Sequence, residues 1–442
     1  MRDKLRYCAD FMAATENEIA VDEMVFNLAG TTSEKVGFLP RAPKWIVYGR
    51  RYSFFSYCIW WVTRRVWIFG GNHVFFFCQF FPAWLRAEGT GSSPSEALED
   101  SGYVLALSSR VGDIVHSGHV EDLPRTWITM PWAPLTRVPE DAKCIDVFSL
   151  LSKIDILHAF RDAIFATHVL RKRKRTSPWI LQSYTAFRWF AVRTALDKLQ
   201  GRLIMAEHFD RWAVLVDGSV RENKFHLSKS GENPRRELVL VQHGTIGNLS
   251  EDSSDNYTSK LKLRRKLRAV TRLYAYNAEA ENAFKRDVLS PGCVRRAVQV
   301  SYYQPGIELK IDHEFAGLKI LFVGHSLCEE LHNHIFSSLA QDFEFQAYYK
   351  PHPLAPMTER MNALGWKIIN DAGYFPAVDL LISYPSTLVV EYSGVGVPAM
   401  VHPMSLVKEK SDDFIKTIGV KIKILQKTKV KNIYIGSASD ES

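Results

Sequence analysis

Four short motifs in the last third of the chain place histidine, lysine and hydroxyl side chains at the ends of apolar runs. They are Gly-His-Ser at 324–326, Lys-Pro-His-Pro at 350–353, Ser-Tyr-Pro-Ser-Thr at 383–387, and His402. Cationic, imidazole and hydroxyl groups are side chains that bind phosphate oxygens. If the fold brings these motifs to one edge, the sequence predicts a phosphate site there.

The Lys-Pro-His-Pro motif presents its histidine on an extended backbone. A proline fixes its own φ and pushes the preceding residue out of the helical region, so Pro351 and Pro353 hold the His352 imidazole rigidly. Ser386 and Thr387 begin the next predicted helix, whose N-terminus favours an anion. Capping of that helix by the two hydroxyl residues, without any ligand, is the alternative interpretation.

The elements that must position these motifs are strands and helices in alternation. Apolar runs bounded by polar or glycine positions predict buried strands at 202–208, 212–218, 237–244, 272–277 and 296–303. From 318 to 403 strands alternate with helices, and a parallel connection needs a crossover that can hold a helix. The sequence therefore predicts an α/β fold with a doubly wound parallel sheet, in which ligands bind at the carboxyl ends of the strands.

A basic, aromatic segment at 35–87 has a different character. Between Glu34 and Glu88 there is no acidic residue, while eight lysines and arginines equal the formal +8 of the whole chain. Aromatic rings with interleaved arginines suit the headgroup region of an anionic membrane, and polar residues interrupt any span of about 20 residues. The sequence predicts association with a membrane surface; two or three buried strands are the alternative.

Three stretches together resemble a known family. Lys-Pro-His-Pro ends a strand at 350–353, DLLISYPSTLVVEYSGVGVP follows at 379–398, and VQHGT lies upstream at 241–245. Over roughly residues 200–405 the chain resembles the GT-B glycosyltransferases that build bacterial capsules, teichoic acids and lipopolysaccharide. The resemblance implies two Rossmann-like parallel-sheet domains that face a central cleft.

The resemblance also implies roles for the quoted residues. Nucleotide and phosphate contacts would come from Gly244, His325, Ser326, Lys350, His352, Pro353, Ser386, Thr387 and Glu391. Among these, His352 would contact the donor phosphate, Glu391 would approach the ribose or the sugar, and His325 with Ser326 would close the nucleotide pocket.

The predicted domains follow from this resemblance. An N-terminal, acceptor-side domain would span 1–312 and contain the helical region 145–199. A nucleotide-sugar-binding domain would span 313–405, and the tail 406–442 can pack back on the first domain.

The catalytic base is expected on the acceptor side, where two predicted strands end in polar residues. A base must lie within hydrogen-bond reach of the acceptor hydroxyl, and a carboxylate or histidine is the usual choice. Asp210 is the first candidate and Glu207 the second, while His243 can stabilise phosphate or the leaving nucleotide. A polar turn with Arg211 as ion-pair partner, and a buried core histidine, are the respective alternatives.

The expected function is transfer of a sugar from a nucleotide-activated donor to a lipid-linked or oligosaccharide acceptor of a bacterial surface polysaccharide. A CMP-activated acidic sugar such as Kdo or sialic acid is the preferred donor. A CDP-linked polyol-phosphate transferase of the teichoic-acid type and a GT-B-fold nucleotide-sugar 2-epimerase are the alternative enzymes.

Several absences in the sequence narrow this further. The chain has no Asp-x-Asp, P-loop, G-x-G-x-x-G or Gly-x-Ser-x-Gly motif, so we expect metal-independent chemistry with no cofactor. The six cysteines are widely spaced and no secretory signal is evident, which predicts a cytoplasmic protein at the inner membrane surface. Nucleic-acid binding is suggested by the basic run at 171–175 alone, without a recognition motif, and is not expected.

Overall fold

The computed structural model describes most of the chain. The described residues are 2–33, 35, 58, 61–62, 65–66, 70, 72–87, 102–108, 110–117, 120–121, 123–133, 135, 138–173, 183–230, 236–245, 261–312, 315, 317–352, 357–358, 361, 365–371 and 373–439. The structure divides into two units, one with residues 1–26, 31–243 and 256–303 and the other with residues 27–30, 244–255 and 304–442.

The first unit is built on a parallel sheet of seven strands. These are β1 (Gly102–Ala106), β2 (Thr126–Thr129), β3 (Lys143–Asp146), β4 (Arg202–Met205), β5 (Glu237–Val241), β6 (Val270–Ala275) and β7 (Gln299–Tyr302). Their spatial order is β3-β2-β1-β4-β5-β6-β7, and each pair is parallel. The order reverses between β1 and β4, because the chain builds outward from β1 twice, in opposite directions.

Helices connect these strands. They are α1 (Arg2–Leu28), α2 (Asn72–Arg86), α3 (Val111–Ser117), α4 (Lys153–Lys172), α5 (Ala186–Lys198), α6 (Arg211–Ser230), α7 (Ala278–Ala283), which continues into a π-helical turn, and α8 (Pro291–Arg295). A capping box starts α4, since the Ser152 hydroxyl accepts from the Asp155 N–H and the Asp155 carboxylate accepts from the Ser152 N–H. Helix α5 is buried on nearly all sides, as expected for its aromatic and aliphatic sequence.

Polar contacts hold α1 against the start of α6 and the segment before β6. The buried Glu18 carboxylate accepts from the Arg211 guanidinium at 2.9 and 2.6 Å. Asn17 exchanges hydrogen bonds with the Arg265 backbone at 2.8 and 2.9 Å. A buried ion pair is stabilising only when its remaining donors are satisfied, and the Arg211 guanidinium also donates to the Thr185 hydroxyl.

The second unit has a parallel sheet of five strands. They are β8 (Leu318–Val323), β9 (Phe345–Lys350), β10 (Lys367–Ile368), β11 (Leu380–Ser383) and β12 (Ala399–Val401), in the order β10-β9-β8-β11-β12. Its helices are α9 (Glu329–Asp342), α10 (Thr387–Gly394) and α11 (Asp412–Ser439). Here the order reverses between β8 and β11. The predicted α/β fold with parallel sheets is confirmed.

The domain boundaries differ from the prediction in two places. The second unit begins its main stretch at Gln304, not at 313. The tail belongs to the second unit and not the first, because α11 buries Ile418 and Ile422 in the core formed by β8, β11 and α9. The apolar side of α11 therefore covers the sheet of the second unit, which directly precedes α11 in the chain.

Two segments that the sequence suggested could be strands are helices. Residues 212–218, predicted as a strand, form the first turns of α6, because a short apolar run fits a buried helix as well as a strand. Residues 72–86 of the basic aromatic segment form α2, so the buried-strand alternative does not hold there. The larger part of 36–71 lies outside the described residues. Among the helices described, none combines the length and apolarity needed to cross a bilayer.

Candidate functional site

Each sheet has a point where its strand order reverses, and polar residues follow the strands there. In open α/β sheets ligands bind outside the carboxyl ends of the strands at such a switch point. In the first unit this edge carries residues 207–210 after β4 and His243 after β5. In the second it carries residues 324–326 after β8 and 384–387 after β11. The two edges are described in turn.

Glu207, directly after β4, is a buried carboxyl group with a raised pKa. Its side chain is 4% exposed, and its Oε2 atom has no hydrogen-bond partner in the described part of the chain. Burial, and then the nearby charge of Asp210, raise the pKa of Glu207 to about 8, while a hydrogen bond with Ser108 after β1 opposes the shift. The group is therefore largely protonated at pH 7.

Two histidines in close contact, with their rings tilted by 33°, lie beside Glu207. The rings of His208 and His243 are 4.0 Å apart, and the His208 Nε2 atom accepts the backbone N–H of His243 at 2.9 Å. Burial, and then His243, lower the pKa of His208 well below its usual value, so this ring stays neutral. His208 thereby fixes the backbone of the residue that follows β5.

The His243 ring has a defined tautomer. Its Nδ1 atom is hydrogen-bonded to the Ala206 carbonyl, and because a carbonyl can only accept, Nδ1 carries the proton. Nε2 of the neutral ring is then a lone-pair acceptor, and it has no hydrogen-bond partner among the described residues. Desolvation lowers the pKa of His243, although the residue surface is exposed, while the Ala206 hydrogen bond and the Asp210 charge oppose the shift.

Asp210 has a structural contact that the sequence did not reveal. Its Oδ1 atom accepts from the backbone N–H groups of Trp212 at 2.8 Å and Ala213 at 3.0 Å, so it caps the N-terminus of α6. Arg211, the ion-pair partner of the alternative interpretation, binds Glu18. The Asp210 charge still acts on its neighbours by raising the pKa of both Glu207 and His243.

The first edge thus combines a neutral carboxyl group, a fixed carboxylate and an accessible imidazole with a free lone pair. Such a set can accept a proton at Nε2 of His243 and stabilise the resulting imidazolium through the Asp210 charge. Of the three predicted catalytic residues, His243 is exposed, Asp210 is half-buried and Glu207 is buried.

The second unit brings predicted residues of two different motifs together. The His325 and His352 rings are 5.3 Å apart, and the Tyr384 ring lies 5.6 Å from His325. Burial, and then His352, lower the pKa of His325 to about 4, and burial lowers the pKa of His352. The His325 Nδ1 atom accepts from the Leu327 N–H at 3.2 Å, so its proton lies on Nε2. Both rings are neutral at pH 7 and can gain a proton when an anion arrives.

The N-terminus of α10 lies at the same edge and lacks the expected cap. Ser386 occupies the N-cap position but accepts no helix N–H; its hydroxyl lies 3.0 Å from that of Ser383. The Thr387 hydroxyl instead accepts the Thr245 N–H at 3.3 Å. A Cβ atom on Gly244 would lie 3.1 Å from that hydroxyl, so the glycine permits this approach. The structure therefore contradicts the interpretation in which Ser386 and Thr387 serve only to cap α10.

Lys350 points its charge into the protein. The residue is buried, its ammonium donates to the carbonyls of Asp371 at 2.8 Å and Tyr374 at 2.9 Å, and it lies 4.9 Å from the centre of the Phe375 ring. These contacts hold the 371–375 segment against β9. Its predicted phosphate contact stays a prediction.

The remaining predicted residues are placed differently from one another. Ser326 is exposed, Glu391 is buried in the second turn of α10, and Pro353 lies outside the described residues. His402, named with the other motifs, is fully buried and its Nε2 atom lies 2.8 Å from Nε2 of His332. The ring is therefore part of the core and not of the edge.

This buried histidine pair is a feature that sequence reasoning missed. The Nδ1 atom of His402 donates to the Pro403 carbonyl at 2.9 Å, so the His332 Nε2 atom must be the donor between the rings. The two residues are 70 positions apart, and no local pattern joins them. Three or more potential metal ligands do not converge within the described residues, and the expectation of metal-independent chemistry stays a prediction.

Comparison with known proteins adds no family to this picture. No model of a known protein family matches the chain, and no curated protein sequence matches it. The function must therefore be argued from the two edges themselves.

Proposed function

We propose that the chain is a GT-B-type transferase that moves a sugar from a nucleotide-activated donor to a saccharide or lipid-linked acceptor in bacterial surface-polysaccharide synthesis. The two parallel sheets, each with polar residues at its switch point, support this assignment. A CMP-activated acidic sugar is the proposed donor. Fold alone does not define function, and the residues at the two edges supply the specific support.

The observation that carries the proposal is the anion-suited edge of the second unit. Neutral His325 and His352 lie together at the ends of β8 and β9, and Ser386 leaves the N-terminus of α10 without a side-chain cap. Backbone N–H groups at a helix N-terminus and histidines that can gain a proton favour a phosphate group. We assign the donor phosphate to this edge.

The proton step is assigned to the first unit. In a direct displacement the acceptor hydroxyl loses its proton as its oxygen bonds to the anomeric carbon, and the bond from that carbon to the donor phosphate oxygen breaks. His243 is the proposed proton acceptor, in place of Asp210, because its Nε2 lone pair is available and the residue is exposed. Asp210 would stabilise the imidazolium, and the phosphate would leave with the bonding electron pair.

Thermal-shift measurements with CMP, CDP, UDP and GDP test the nucleotide assignment, because a ligand that binds only the native state raises the melting temperature. We expect one nucleotide to stabilise the wild type and a His334→Ala control, and His352→Ala to weaken that effect at least 10-fold in Kd. Equal stabilisation of both variants would remove His352 from the site. No response to any nucleotide would overturn the proposal.

The proposed location is the inner surface of the cell membrane, and α2 supports it. Its exposed positions include Val74, Phe77, Phe81 and Leu85, each between 60% and 68% exposed. The opposite side of α2 buries Phe76 and Ala83. A helix that is apolar on both faces while one face meets solvent is typical of an interaction surface.

Helix α4 extends this surface and gives it a charge. Phe160 of α4 packs against Phe77 and Phe80 at 5.0 and 5.3 Å. The exposed positions of α4 are apolar, basic or histidine and include no acid: Lys153, Ile154, Leu157, His158, Arg161, Ile164, His168 and Lys172. Apolar and basic groups without acids complement an anionic lipid surface, which is why we assign this face to a bilayer and not to a second copy of the chain.

Vesicle sedimentation tests the location. We expect binding to vesicles of phosphatidylcholine with phosphatidylglycerol, weaker binding to phosphatidylcholine alone, and a loss of at least 10-fold in Phe77→Ser/Phe81→Ser. Val420→Ser/Ile424→Ser on α11 is the matched control, since both of those side chains are also more than half exposed. Unchanged vesicle binding, or a shift only in the oligomeric state of the protein, would overturn this assignment.

A further inference from the structure

An arginine-lined cavity lies in the first unit, away from the residues discussed so far. Its volume is about 590 Å³. Parts of α1, the middle of α6, the end of α4 and the segment before β6 form its walls. Six arginines line it: Arg6, Arg173, Arg221, Arg264, Arg265 and Arg268. We refer to it as the arginine cavity.

The acidic residues of the cavity do not balance these charges. Among the described residues, the acids that line it are Asp10 and Glu16, which leaves these residues with a formal excess of four positive charges. Asp10 binds Arg265, and Glu16 lies 3.3 Å from Arg264 and 3.7 Å from Arg173. Both carboxylates are thus already engaged in ion pairs, and the excess positive charge of the lining remains.

Neighbouring guanidinium groups add to the effect of burial on Arg268. Partial burial, followed by the charges of Arg265 and Arg221, lowers the pKa of Arg268, and Asp217 and Asp10 offset this only in part. Like charges raise each other's energy more as solvent is removed from between them. An anion in the cavity would relieve that energy.

The cavity walls are held in place before any ligand arrives. The Asp217 Oδ1 atom accepts the backbone N–H groups of Arg268 at 2.6 Å and Ala269 at 2.7 Å. Asn17 fixes the Arg265 backbone from the other side. A Cβ atom at position 218 would lie 2.6 Å from the buried Arg193 guanidinium and 3.1 Å from the Asp10 carboxylate, so Gly218 allows these groups to pack closely. The backbone that carries Arg265 and Arg268 is therefore ordered before a ligand binds.

The chemistry of the lining identifies the class of ligand. A planar guanidinium binds phosphate oxygens through two parallel N–H donors, and several together select for multiple negative charge. The volume lies within the range of about 300–1,000 Å³ found for small-molecule pockets. A metal cation is disfavoured by the same excess of positive charge.

The arginine cavity lies at the amino ends of the strands, opposite to the carboxyl ends that carry His243. Residues 264–268 precede β6, whereas His243 follows β5, which is parallel to β6. A strand of this length spans about 15–20 Å, so one ligand of ordinary size does not reach both. The cavity is separate from the proposed proton-transfer edge, and an inference from it does not depend on the proposed function.

We propose that the arginine cavity is a second anion site that binds a phosphate or diphosphate group carrying several negative charges. The group can belong to a soluble phosphorylated molecule or to a phospholipid headgroup. Arg221 and Arg268 are the residues on which recognition depends most, because Arg173, Arg264 and Arg265 already bind carboxylates.

Calorimetry with inorganic pyrophosphate, at constant ionic strength adjusted with potassium chloride, tests the proposal. We expect saturable binding to the wild type and a Kd at least 10-fold higher for Arg221→Gln/Arg268→Gln. The control is Arg125→Gln/Arg295→Gln, which removes the same charge from exposed arginines outside the cavity. Circular dichroism checks that each variant is folded, and the single Arg221→Gln variant replaces the double variant if that one unfolds.

Equal pyrophosphate binding by the cavity variant and the control would overturn the proposal, as would the absence of saturable binding to the wild type under these conditions. Vesicles containing phosphatidic acid distinguish the two sources of the phosphate group. If pyrophosphate displaces the protein from vesicles and the cavity variant fails to bind them, the ligand is a headgroup. If vesicle binding is the same for all variants while pyrophosphate binding is lost, the ligand is soluble.

Discussion

The strand order reverses in both sheets, but the titratable groups at the two reversal points differ in type and in surroundings. At the first edge a carboxyl group with a pKa of about 8 lies near a histidine whose tautomer is fixed by a carbonyl. At the second, two histidines with lowered pKa values lie beside an uncapped helix N-terminus. The first arrangement suits proton exchange and the second suits anion binding. In both sheets the switch point brings the polar residues together, while the burial of a few side chains sets their protonation.

The largest expected effect separates the two edges by kinetics. His243→Ala removes the proposed proton acceptor, and loss of a general base reduces turnover by about 10²–10⁴-fold. Donor binding, assigned to the other edge, should stay within about 3-fold of the wild type. His334→Ala, on α9, is the control. Steady-state kinetics with the donor found by thermal shift measure both values; a lower donor affinity with normal turnover would contradict the division.

The second effect concerns the stability cost of Glu207. Its pKa in the folded protein, about 8, exceeds the unfolded value of 4.5, so the carboxyl group stabilises the fold below pH 4.5 and that contribution is lost as pH rises to 8. Glu207→Gln avoids the loss and should be more stable than the wild type by on the order of 3 kcal/mol at pH 9. Urea denaturation at pH 5 and pH 9 measures the difference, which must grow with pH.

Proton uptake should mark the second edge alone. A bound phosphate favours protonated His325 and His352, whose pKa values are lowered in the free protein, so nucleotide affinity should increase by about 10-fold from pH 8 to pH 6. Calorimetry in buffers of different ionisation enthalpy counts the protons. His352→Ala should take up fewer, whereas His243→Ala should match the wild type. An affinity that does not depend on pH would show that neither ring gains a proton.

The smallest effect compares two serines at helix N-termini. Ser152 accepts a helix N–H in a capping box, and Ser152→Ala should cost about 1 kcal/mol. Ser386 accepts none, so Ser386→Ala should cost less than about 0.5 kcal/mol while weakening nucleotide binding. Urea denaturation of the two variants gives the comparison directly. A similar cost for both would mean that Ser386 caps α10 in solution.

The alternating strands and helices of the last third were predictable because each has a distinct period and a clear boundary. β8, β9 and β11 follow apolar runs that end in Gly, Lys-Pro or Ser-Tyr-Pro. The first turns of α6 were not, because residues 213–216 are apolar on every side and buried as a helix. Strands β1 to β3 were not predicted; β3 in particular has only exposed or half-buried positions and therefore no apolar run that would mark it as a buried strand.

The candidate site was predictable to the level of which loops carry it. His325, His352 and Thr387 follow strands in the sequence, so their common edge could be expected from the parallel fold alone. The inward direction of Lys350 and His402 could not be predicted from the sequence. Lys350 donates to the carbonyls of residues 371 and 374, and His402 pairs with a histidine 70 residues away. Likewise the arginine cavity collects residues from four separate segments, each of which alone is an ordinary surface helix or loop.

The docking of α1 has a consequence for how the chain is made. Glu18 meets Arg211 across 193 residues and Asn17 meets Arg265 across 248, so α1 reaches these partners only after a further 193 to 248 residues have been synthesised. At about 5–20 residues per second, that delay is on the order of 10–50 seconds. The apolar side of α1 is exposed to chaperones during that time, and its attachment is a late step of folding.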